Sequence, residues 1–214
     1  MVPSFFKRKD FMKNIAVVII FISALLSFLN SGANADNVRL GNSRYTGNGC
    51  MPGTSSVTLS PDGRYISLIF DSYTIEAGLT NGRPVDYKTC NFLIPIHIPA
   101  NHRLSIVEVD YRGYVALPDN KATAKLSAKY FLADAMGPPF VKDWQGPLDS
   151  NYIFENLLTL ANRVHSKCGQ DVDMQVRTQV TVKNPKRAED ALVTIDSADF
   201  DAGLRFTVEL NKCN

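Results

Sequence analysis

Hydrophobic and polar residues alternate along most of this chain after residue 50. The clearest stretch is 171–182, where Val172, Met174, Val176, Val180 and Val182 alternate with polar residues. A period of two is typical of a β-strand with one buried face. The same pattern predicts strands at 57–59, 64–70, 73–76, 88–98, 103–117, 123–132, 192–195 and 204–210.

The stretch 103–117 is the longest run of strand-forming residues after the N-terminus. Apolar residues occupy both faces from Ile106 to Val109, which favours a central strand. Gly113 interrupts the run and predicts a β-bulge at that point. Glu108 and Asp110 fall where the apolar face should continue, so both carboxylates need partners or solvent.

Turn and breaker residues divide the other segments. Ser60-Pro61-Asp62-Gly63 predicts a hairpin turn. Pro95 and Pro99 push the strand at 88–98 toward a sheet edge or a bulge. Residues 36–49 are typical of an irregular lead-in, and residues 137–147 predict a loop that carries Trp144. The pattern of 152–160 fits a short helix or a strand equally.

Short strands with frequent Gly and Pro between them, and no helical segment between successive strands, exclude a parallel βαβ architecture. We predict an all-β fold, an antiparallel β-sandwich of Greek-key or jelly-roll-like type with at most one short helix and two disulfides.

The N-terminus carries an export pattern. Four basic residues precede an apolar run at 15–29, and Ala33-Asn34-Ala35 is a small-x-small cleavage site. The apolar run is shorter than a membrane span needs, which disfavours an anchor. We therefore predict a signal peptide at 1–35, starting at Met1 or Met12, and one secreted domain at 36–214 without a membrane span, extracellular or periplasmic.

Removing the signal changes the charge of the chain. The whole sequence has 23 Lys and Arg against 21 Asp and Glu, and residues 36–214 keep 19 against 20. This near neutrality argues against nucleic acid and against an anionic membrane surface as partners.

All four cysteines, Cys50, Cys90, Cys168 and Cys213, follow the signal. An even number in an exported chain predicts two disulfides, and the wide spacings disfavour a zinc site. Three pairings are possible. We predict Cys50–Cys90 and Cys168–Cys213, the second because neighbouring antiparallel strands at 172–182 and 204–210 would bring the last two cysteines to one edge.

Several short motifs occur together in this chain. Gly47-Asn48-Gly49-Cys50, His97-Ile98-Pro99, Val109-Asp110-Tyr111-Arg112-Gly113-Tyr114, Gly146-Pro147-Leu148 and Cys168-Gly169 stand in this order. In this combination the chain resembles the secreted family known as domain of unknown function 4360. The resemblance implies a small secreted protein of fungal or bacterial origin with four structural cysteines and no assigned activity. Asn211-Lys212 stands where many members have a tryptophan.

Candidate chemistry is sparse. Asp71, Glu76, Glu108 and Asp110 offer a carboxylate pair for glycoside hydrolysis, or face water and bond to neighbouring groups. The three histidines are too scattered for a metal triad, and we expect no metal and no cofactor. Asp196, Asp199 and Asp201 suit a calcium ion or, as the favoured interpretation, turn formation.

Aromatic residues offer a second kind of site. Tyr111, Tyr114, Trp144 and Tyr152 suit a platform for sugar rings, although core packing is the favoured interpretation. Asp110 to Tyr114 also suits a structural corner in which a hydroxyl, a guanidinium and a carboxylate satisfy one another. The candidate ligand surface comprises Asp110, Tyr111, Arg112, Tyr114 and Trp144.

The sequence therefore predicts an exported, disulfide-stabilised module that binds a glycan, a cell-envelope component or a protein without catalysis. A small secreted hydrolase that uses acidic residues is the alternative. No nucleophile motif identifies catalytic residues.

Overall fold

The computed structural model describes residues 37–195 and 203–213. Within them the chain forms fifteen β-strands and no helix. In chain order the strands are β1 Arg39–Leu40, β2 Arg44–Thr46, β3 Ser55–Leu59, β4 Tyr65–Phe70, β5 Thr74–Ala77, β6 Val85–His97, β7 His102–Leu117, β8 Thr123–Leu132, β9 Ala135–Met136, β10 Phe140–Gln145, β11 Leu148–Leu157, β12 Val164–His165, β13 Val172–Lys183, β14 Ala191–Thr194 and β15 Leu204–Lys212.

The strands form two antiparallel sheets, named here by their central strands. The β13 sheet has the order β1-β6-β13-β8-β10, with β2 also on β6 and β9 also on β8. The β7 sheet has the order β3-β4-β15-β7-β14-β5, with β11 and β12 along the other side of β7. Inward side chains of both sheets form one apolar core, so the predicted antiparallel sandwich is confirmed.

The predicted central strand is confirmed, but its irregularity lies elsewhere. Opposite β7, Thr207 pairs with Glu108 and Val208 pairs with Ile106, so Val107 is the extra residue of a bulge. The bulge predicted at Gly113 is wrong, because Gly113 stays in register opposite Tyr152. Beyond the bulge Val109, Tyr111 and Val115 are buried, and Glu108 and Asp110 belong to the outer side of the sheet.

Pro95 does not place β6 at a sheet edge or in a bulge. β6 is paired along one side with β13 and along the other with β1 and β2. The Pro95 carbonyl accepts a hydrogen bond from the Gly41 N–H at 2.8 Å. The backbone N and C=O of Pro95 therefore face the segment between β1 and β2. A proline is tolerated there because no ladder hydrogen bond requires its missing N–H.

Two segments that the sequence pattern did not identify as strands are strands in the structure. The predicted loop around Trp144 is β10, and the ambiguous segment at 152–160 belongs mostly to β11. The lead-in at 36–49 also contains β1 and β2. By contrast, the hairpin turn is confirmed between β3 and β4, where Gly63 has a φ of 71° and donates its N–H to the Ser60 carbonyl.

Both predicted disulfides are present, Cys50–Cys90 and Cys168–Cys213. The strands at 172–182 and 204–210 are not neighbours as predicted, because β13 and β15 belong to different sheets. The bridge forms instead beside the turn that enters β7: the Gly169 N–H donates to the His102 carbonyl, and the Cys213 N–H donates to the Asn101 carbonyl. Both cysteines are thus held by the same short segment.

The described residues contain no helix long and apolar enough to cross a bilayer. The predicted signal peptide and its cleavage site lie outside these residues.

Candidate functional site

The outer side of the β13 sheet, called here the β13 face, presents an ordered array of polar side chains. Strand alternation buries Met174, Val176, Thr178 and Val180 on one side and turns Gln175, Arg177 and Gln179 to the other. Strand pairing then aligns these outward residues in rows across neighbouring strands. Three consecutive rows are Asn91-Arg177-Lys129, Thr89-Gln179-Ser127-Val141 and Tyr87-Thr181-Lys125-Asp143.

Shallow grooves lie toward the two ends of this face. One groove of about 540 Å³ is lined by Arg44, Asn91, Leu93, Gln175 and Arg177 among others. The second, of about 710 Å³, includes Lys125, Asp143, Gln145, Thr181 and Lys183. Both grooves have polar side chains on their walls and are open to solvent.

Two aromatic rings belong to the same face. Tyr87 is 57% exposed. The guanidinium of Arg177 lies 5.3 Å from the ring centroid of Phe131, and its Nη2 donates to Gln175 Oε1 at 3.1 Å. The contacts with the ring and the amide limit the rotamer freedom of Arg177, and its other N–H groups stay available for a ligand.

Charge is divided unequally between the two outer sides of the sandwich. The strand residues of the β13 face include six basic side chains, Arg39, Arg44, Lys125, Lys129, Arg177 and Lys183, and two acidic ones, Asp143 and Asp173. The outer side of the β7 sheet, called here the β7 face, has six acidic side chains, Glu76, Glu108, Asp110, Asp149, Glu155 and Glu209, and three basic ones, Arg103, Arg112 and Arg205. The domain as a whole is nearly neutral, but its β13 face has an excess of basic residues and its β7 face an excess of acidic ones.

The structure separates the five residues of the sequence-predicted ligand surface. Asp110, Arg112 and Tyr114 alternate on the β7 face, whereas Tyr111 and Trp144 point between the sheets. Tyr114 donates its hydroxyl to Asp149 Oδ1 at 2.6 Å, and this hydrogen bond raises the pKa of Tyr114. The five residues therefore do not form one continuous surface.

The interior aromatics close one side of the sandwich. The Tyr111 ring stacks on Phe140 with centroids 3.9 Å apart, and Trp144 packs against Tyr152 and Phe154. The Tyr152 hydroxyl donates to the Thr194 carbonyl at 2.8 Å. Core packing, the interpretation favoured from the sequence, therefore describes Tyr111, Trp144 and Tyr152.

Burial changes the acid–base behaviour of the interior tyrosines. It raises the pKa of Tyr130 to about 12 and raises the pKa of Tyr73, Tyr111 and Tyr152 still further. In each case loss of hydration disfavours the phenolate. These hydroxyls stay protonated across the physiological range and do not serve as bases there.

The acidic residues considered for hydrolysis do not share a cleft. Asp110 is 1% exposed, and its Oδ2 accepts hydrogen bonds from Nε and Nη2 of Arg205. Glu108 Oε2 accepts from the Thr207 hydroxyl at 3.3 Å. Asp71 lies between β4 and β5, and Glu76 lies on β5, at a different edge of the sheet.

A Ser–His pair that the sequence did not predict lies beside the β7 face. Ser105 Oγ is 2.7 Å from His165 Nδ1, and Ser105 pairs in register with Glu209 on β15. Ser105 is only 2% exposed, so its hydroxyl is not accessible to a substrate carbonyl. Arg163 lies 3.2 Å from Glu209 and forms an ion pair with it. The contact between Ser105 and His165 therefore serves to join β7 to β12.

No group of three His, Cys, Asp or Glu side chains that could hold a metal ion occurs within residues 37–195 and 203–213. The aspartates considered for calcium, Asp196, Asp199 and Asp201, lie outside these residues.

The sequence already contained part of the signal for the β13 face. The alternation at 171–182 turns Gln175, Arg177, Gln179 and Thr181 to one side. Their partners on β6 and β8 are distant in sequence, and the pattern does not show which strands pair. For this reason the aligned rows were missed.

Comparison with known proteins gives similarities in sequence and in structure. The profile of the family described as domain of unknown function (DUF4360) matches residues 36–213. An uncharacterized secreted protein of Arthroderma benhamiae is 31% identical over 173 residues, covering 79% of this chain and 71% of that protein.

Among solved structures, TmCBM61 in complex with beta-1,4-galactotriose aligns with a TM-score of 0.21 and 10% identity, covering 80% of this chain and 89% of that one. The family 11 carbohydrate-binding module of the cellulosomal cellulase Lic26A-Cel5E of Clostridium thermocellum aligns with a TM-score of 0.18 and 9% identity, covering 80% and 86%. TM-scores this low indicate nothing about a ligand of this chain.

The profile match spans nearly all of the chain after residue 35, and the Arthroderma protein is similar over most of both lengths. The chain therefore belongs to the family described as domain of unknown function (DUF4360).

Proposed function

We propose that the domain is a non-catalytic module that binds an extended polysaccharide across the β13 face. The observation that carries this proposal is the alignment of amide, hydroxyl and guanidinium groups in consecutive rows on one face, with grooves at both ends. Sugars present many hydroxyls that act as both donors and acceptors, and Asn, Gln, Thr and Ser side chains complement them.

The rigidity of the face supports the same function. The polar residues stand on paired strands above a closely packed core, so a ligand need not order loops on binding. Tyr87 adds an exposed ring on which the apolar side of a sugar can pack.

Absence of a hydrolytic centre on the β7 face is part of this proposal. The ion pair of the buried Asp110 with Arg205 and the burial of Ser105 both favour structural roles for the groups that would otherwise be candidates for catalysis. We expect polysaccharides to be bound by this protein and recovered with unchanged length.

Export is also part of the proposal. The disulfides and the secreted relative agree with an extracellular location. The mature domain, residues 36–214, would begin near Asp36 after cleavage at Ala33-Asn34-Ala35 and reach a glycan or an envelope component outside the cytoplasm. N-terminal sequencing of secreted protein tests this, and a start upstream of Ser31 would contradict it.

The test of binding compares the two outer faces with matched variants. Purified protein is titrated against a panel of soluble plant, fungal and bacterial polysaccharides, and affinity is measured by calorimetry. Tyr87→Ala removes an exposed ring from the β13 face, and Tyr114→Ala removes one from the β7 face. We expect Tyr87→Ala to weaken binding about fivefold or more and Tyr114→Ala to leave it unchanged.

The opposite result would favour the surface predicted from the sequence around Asp110, Arg112 and Tyr114. Binding to no member of the panel by the folded, oxidised protein would contradict the proposed function.

A further inference from the structure

We infer that the polysaccharide held by the β13 face is anionic, a polymer whose repeating carboxylate groups pair with the basic residues of that face. This inference rests on the proposed function. Its starting point is the unequal division of charge, since the β13 face has six basic strand residues against two acidic ones, and the β7 face has the reverse excess.

The basic side chains of the β13 face are largely available. Lys125 forms an ion pair with Asp143, whose charged atoms are 3.7 Å apart, and His97 Nδ1 lies 2.8 Å from Asp171 Oδ1. Within residues 37–195 and 203–213, Arg44, Lys129 and Lys183 have no carboxylate at ion-pair distance. Their charge is therefore not neutralised by the protein itself.

Their arrangement favours a polymer over a single small anion. Arg44, Arg177 and Lys129 form one basic patch beside the first groove, and Lys183 and Lys125 form a second beside the other groove. Arg177 and Lys183 lie six residues apart on the same face of β13, which corresponds to about 20 Å along the strand. One small anion does not span that distance.

The chemistry between the patches favours a glycan over a nucleic acid. The central row, Thr89-Gln179-Ser127-Val141, is uncharged, and its amide and hydroxyl groups complement the many hydroxyls of a sugar chain, which a phosphodiester backbone lacks. Hydroxyls in the middle and carboxylates toward the ends suit the surface better, and the flat guanidinium of Arg177 matches a carboxylate in two-point geometry.

The experiment uses one backbone in a charged and an uncharged form. The oxidised domain is titrated with oligogalacturonate and with the same oligomers after full methyl esterification, at low and at high salt. A single-stranded oligonucleotide with the same number of charges is the third probe. We expect the acid form to bind about tenfold more tightly than the ester, and high salt to remove the difference.

Matched charge removals locate the effect. Arg177→Gln and Lys183→Gln each remove one charge from the β13 face, and Arg103→Gln removes one from the exposed part of the β7 face. We expect the first two to weaken binding of the acid form about threefold to fivefold each, and the third to have no effect.

The outcomes separate this inference from the proposed function. Equal affinity for the acid and ester forms, or binding only to neutral polysaccharides, would overturn the inference and leave the proposed function standing. Oligonucleotide binding as tight as that of the acid form, or an equal effect of Arg103→Gln, would also overturn it. Failure to bind any polysaccharide, charged or neutral, would contradict both.

Discussion

At the scale of single residues, the interior depends on aromatic side chains with polar tips. Tyr73, Tyr111, Tyr130 and Tyr152 are almost fully buried, and two of them reach across the structure. Tyr73 Oη is 3.1 Å from Thr178 Oγ1 on β13, and Tyr152 reaches the Thr194 carbonyl on β14. The hydroxyls of Tyr73 and Tyr152 thus satisfy buried polar groups, and all four rings fill the core.

The raised pKa values of these tyrosines make the fold sensitive to alkali. Because the folded-state pKa lies above the unfolded value of about 10, the stabilisation is complete below pH 10 and decreases as the pH rises above it. Each tyrosine lowers the free energy of unfolding by about 1.4 kcal/mol in total between pH 9 and pH 11, because the unfolded phenol ionises across this range while the folded one stays protonated. Urea unfolding at pH 9, 10 and 11 measures this decrease.

Tyr130→Phe is the matched variant for this prediction. It removes one titrating group and keeps the ring, so the decrease in the free energy of unfolding between pH 9 and pH 11 should be smaller by about 1.4 kcal/mol. A free energy of unfolding that stays constant from pH 9 to pH 11 in the wild-type protein would show that the buried tyrosines do not titrate with unfolding.

At the scale of strands, most of the structure followed from the period-two pattern, and the exceptions have local causes. β10 was missed because Lys142 occupies an inward position between Phe140 and Trp144. Its ammonium lies 4.9 Å from the Phe154 ring centroid, at the open edge of the sandwich. β11 was ambiguous because Ile153 and Leu157 are apolar yet exposed. Edge strands need not keep one clean apolar face, so alternation identifies them poorly.

Gly113 illustrates a constraint that comes from a neighbouring strand. Tyr152 lies directly opposite Gly113 and extends its hydroxyl to Thr194 beyond it. A Cβ at position 113 would collide with the Thr194 carbonyl and with the Tyr152 ring. We therefore expect Gly113→Ala to lower the free energy of unfolding by about 1–3 kcal/mol, measured by urea denaturation.

The control for this substitution is Gly53→Ala. Gly53 has open space around a new Cβ and a φ of 85°, so any cost there reflects backbone strain alone. If Gly113→Ala proved as stable as the wild-type protein, Tyr152 and the Thr194 carbonyl would not lie as close to Gly113 as described.

The two disulfides should differ in accessibility. Cys50 and Cys90 are fully buried, whereas Cys168 is exposed at the surface. We expect a low concentration of dithiothreitol to reduce Cys168–Cys213 first, because exchange requires a thiolate to reach a sulfur atom. Differential alkylation followed by mass spectrometry measures the order, and reduction of Cys50–Cys90 first in the native protein would contradict it.

Loss of the exposed bridge also has a predictable effect on stability. The Cys168–Cys213 bridge closes a loop with a sequence separation of 45 residues, for which the chain-entropy model gives a stabilisation of about 4 kcal/mol. Cys168→Ser/Cys213→Ser should therefore unfold at a markedly lower urea concentration while keeping the Cys50–Cys90 bridge.

At the scale of the whole molecule, the sandwich separates two surfaces of opposite charge. The near neutrality of residues 36–214 hides this division, because charge counts contain no information about which strands share a sheet. β6, β8 and β13 bring their outward residues together from distant parts of the chain. The β13 face can therefore be identified only once the strand pairing is known, whereas alternation along the sequence is enough to predict the fold class.

The most direct test of the account is to map where a bound polysaccharide touches the domain. Amide chemical shifts of isotope-labelled protein are recorded while a ligand from the binding panel is added. We expect the perturbed amides to cluster on β6, β13 and β8, around Gln175, Arg177 and Thr181, with the amides of Asp110, Arg112 and Tyr114 unchanged. Perturbation confined to the β7 face would contradict the assignment of the site.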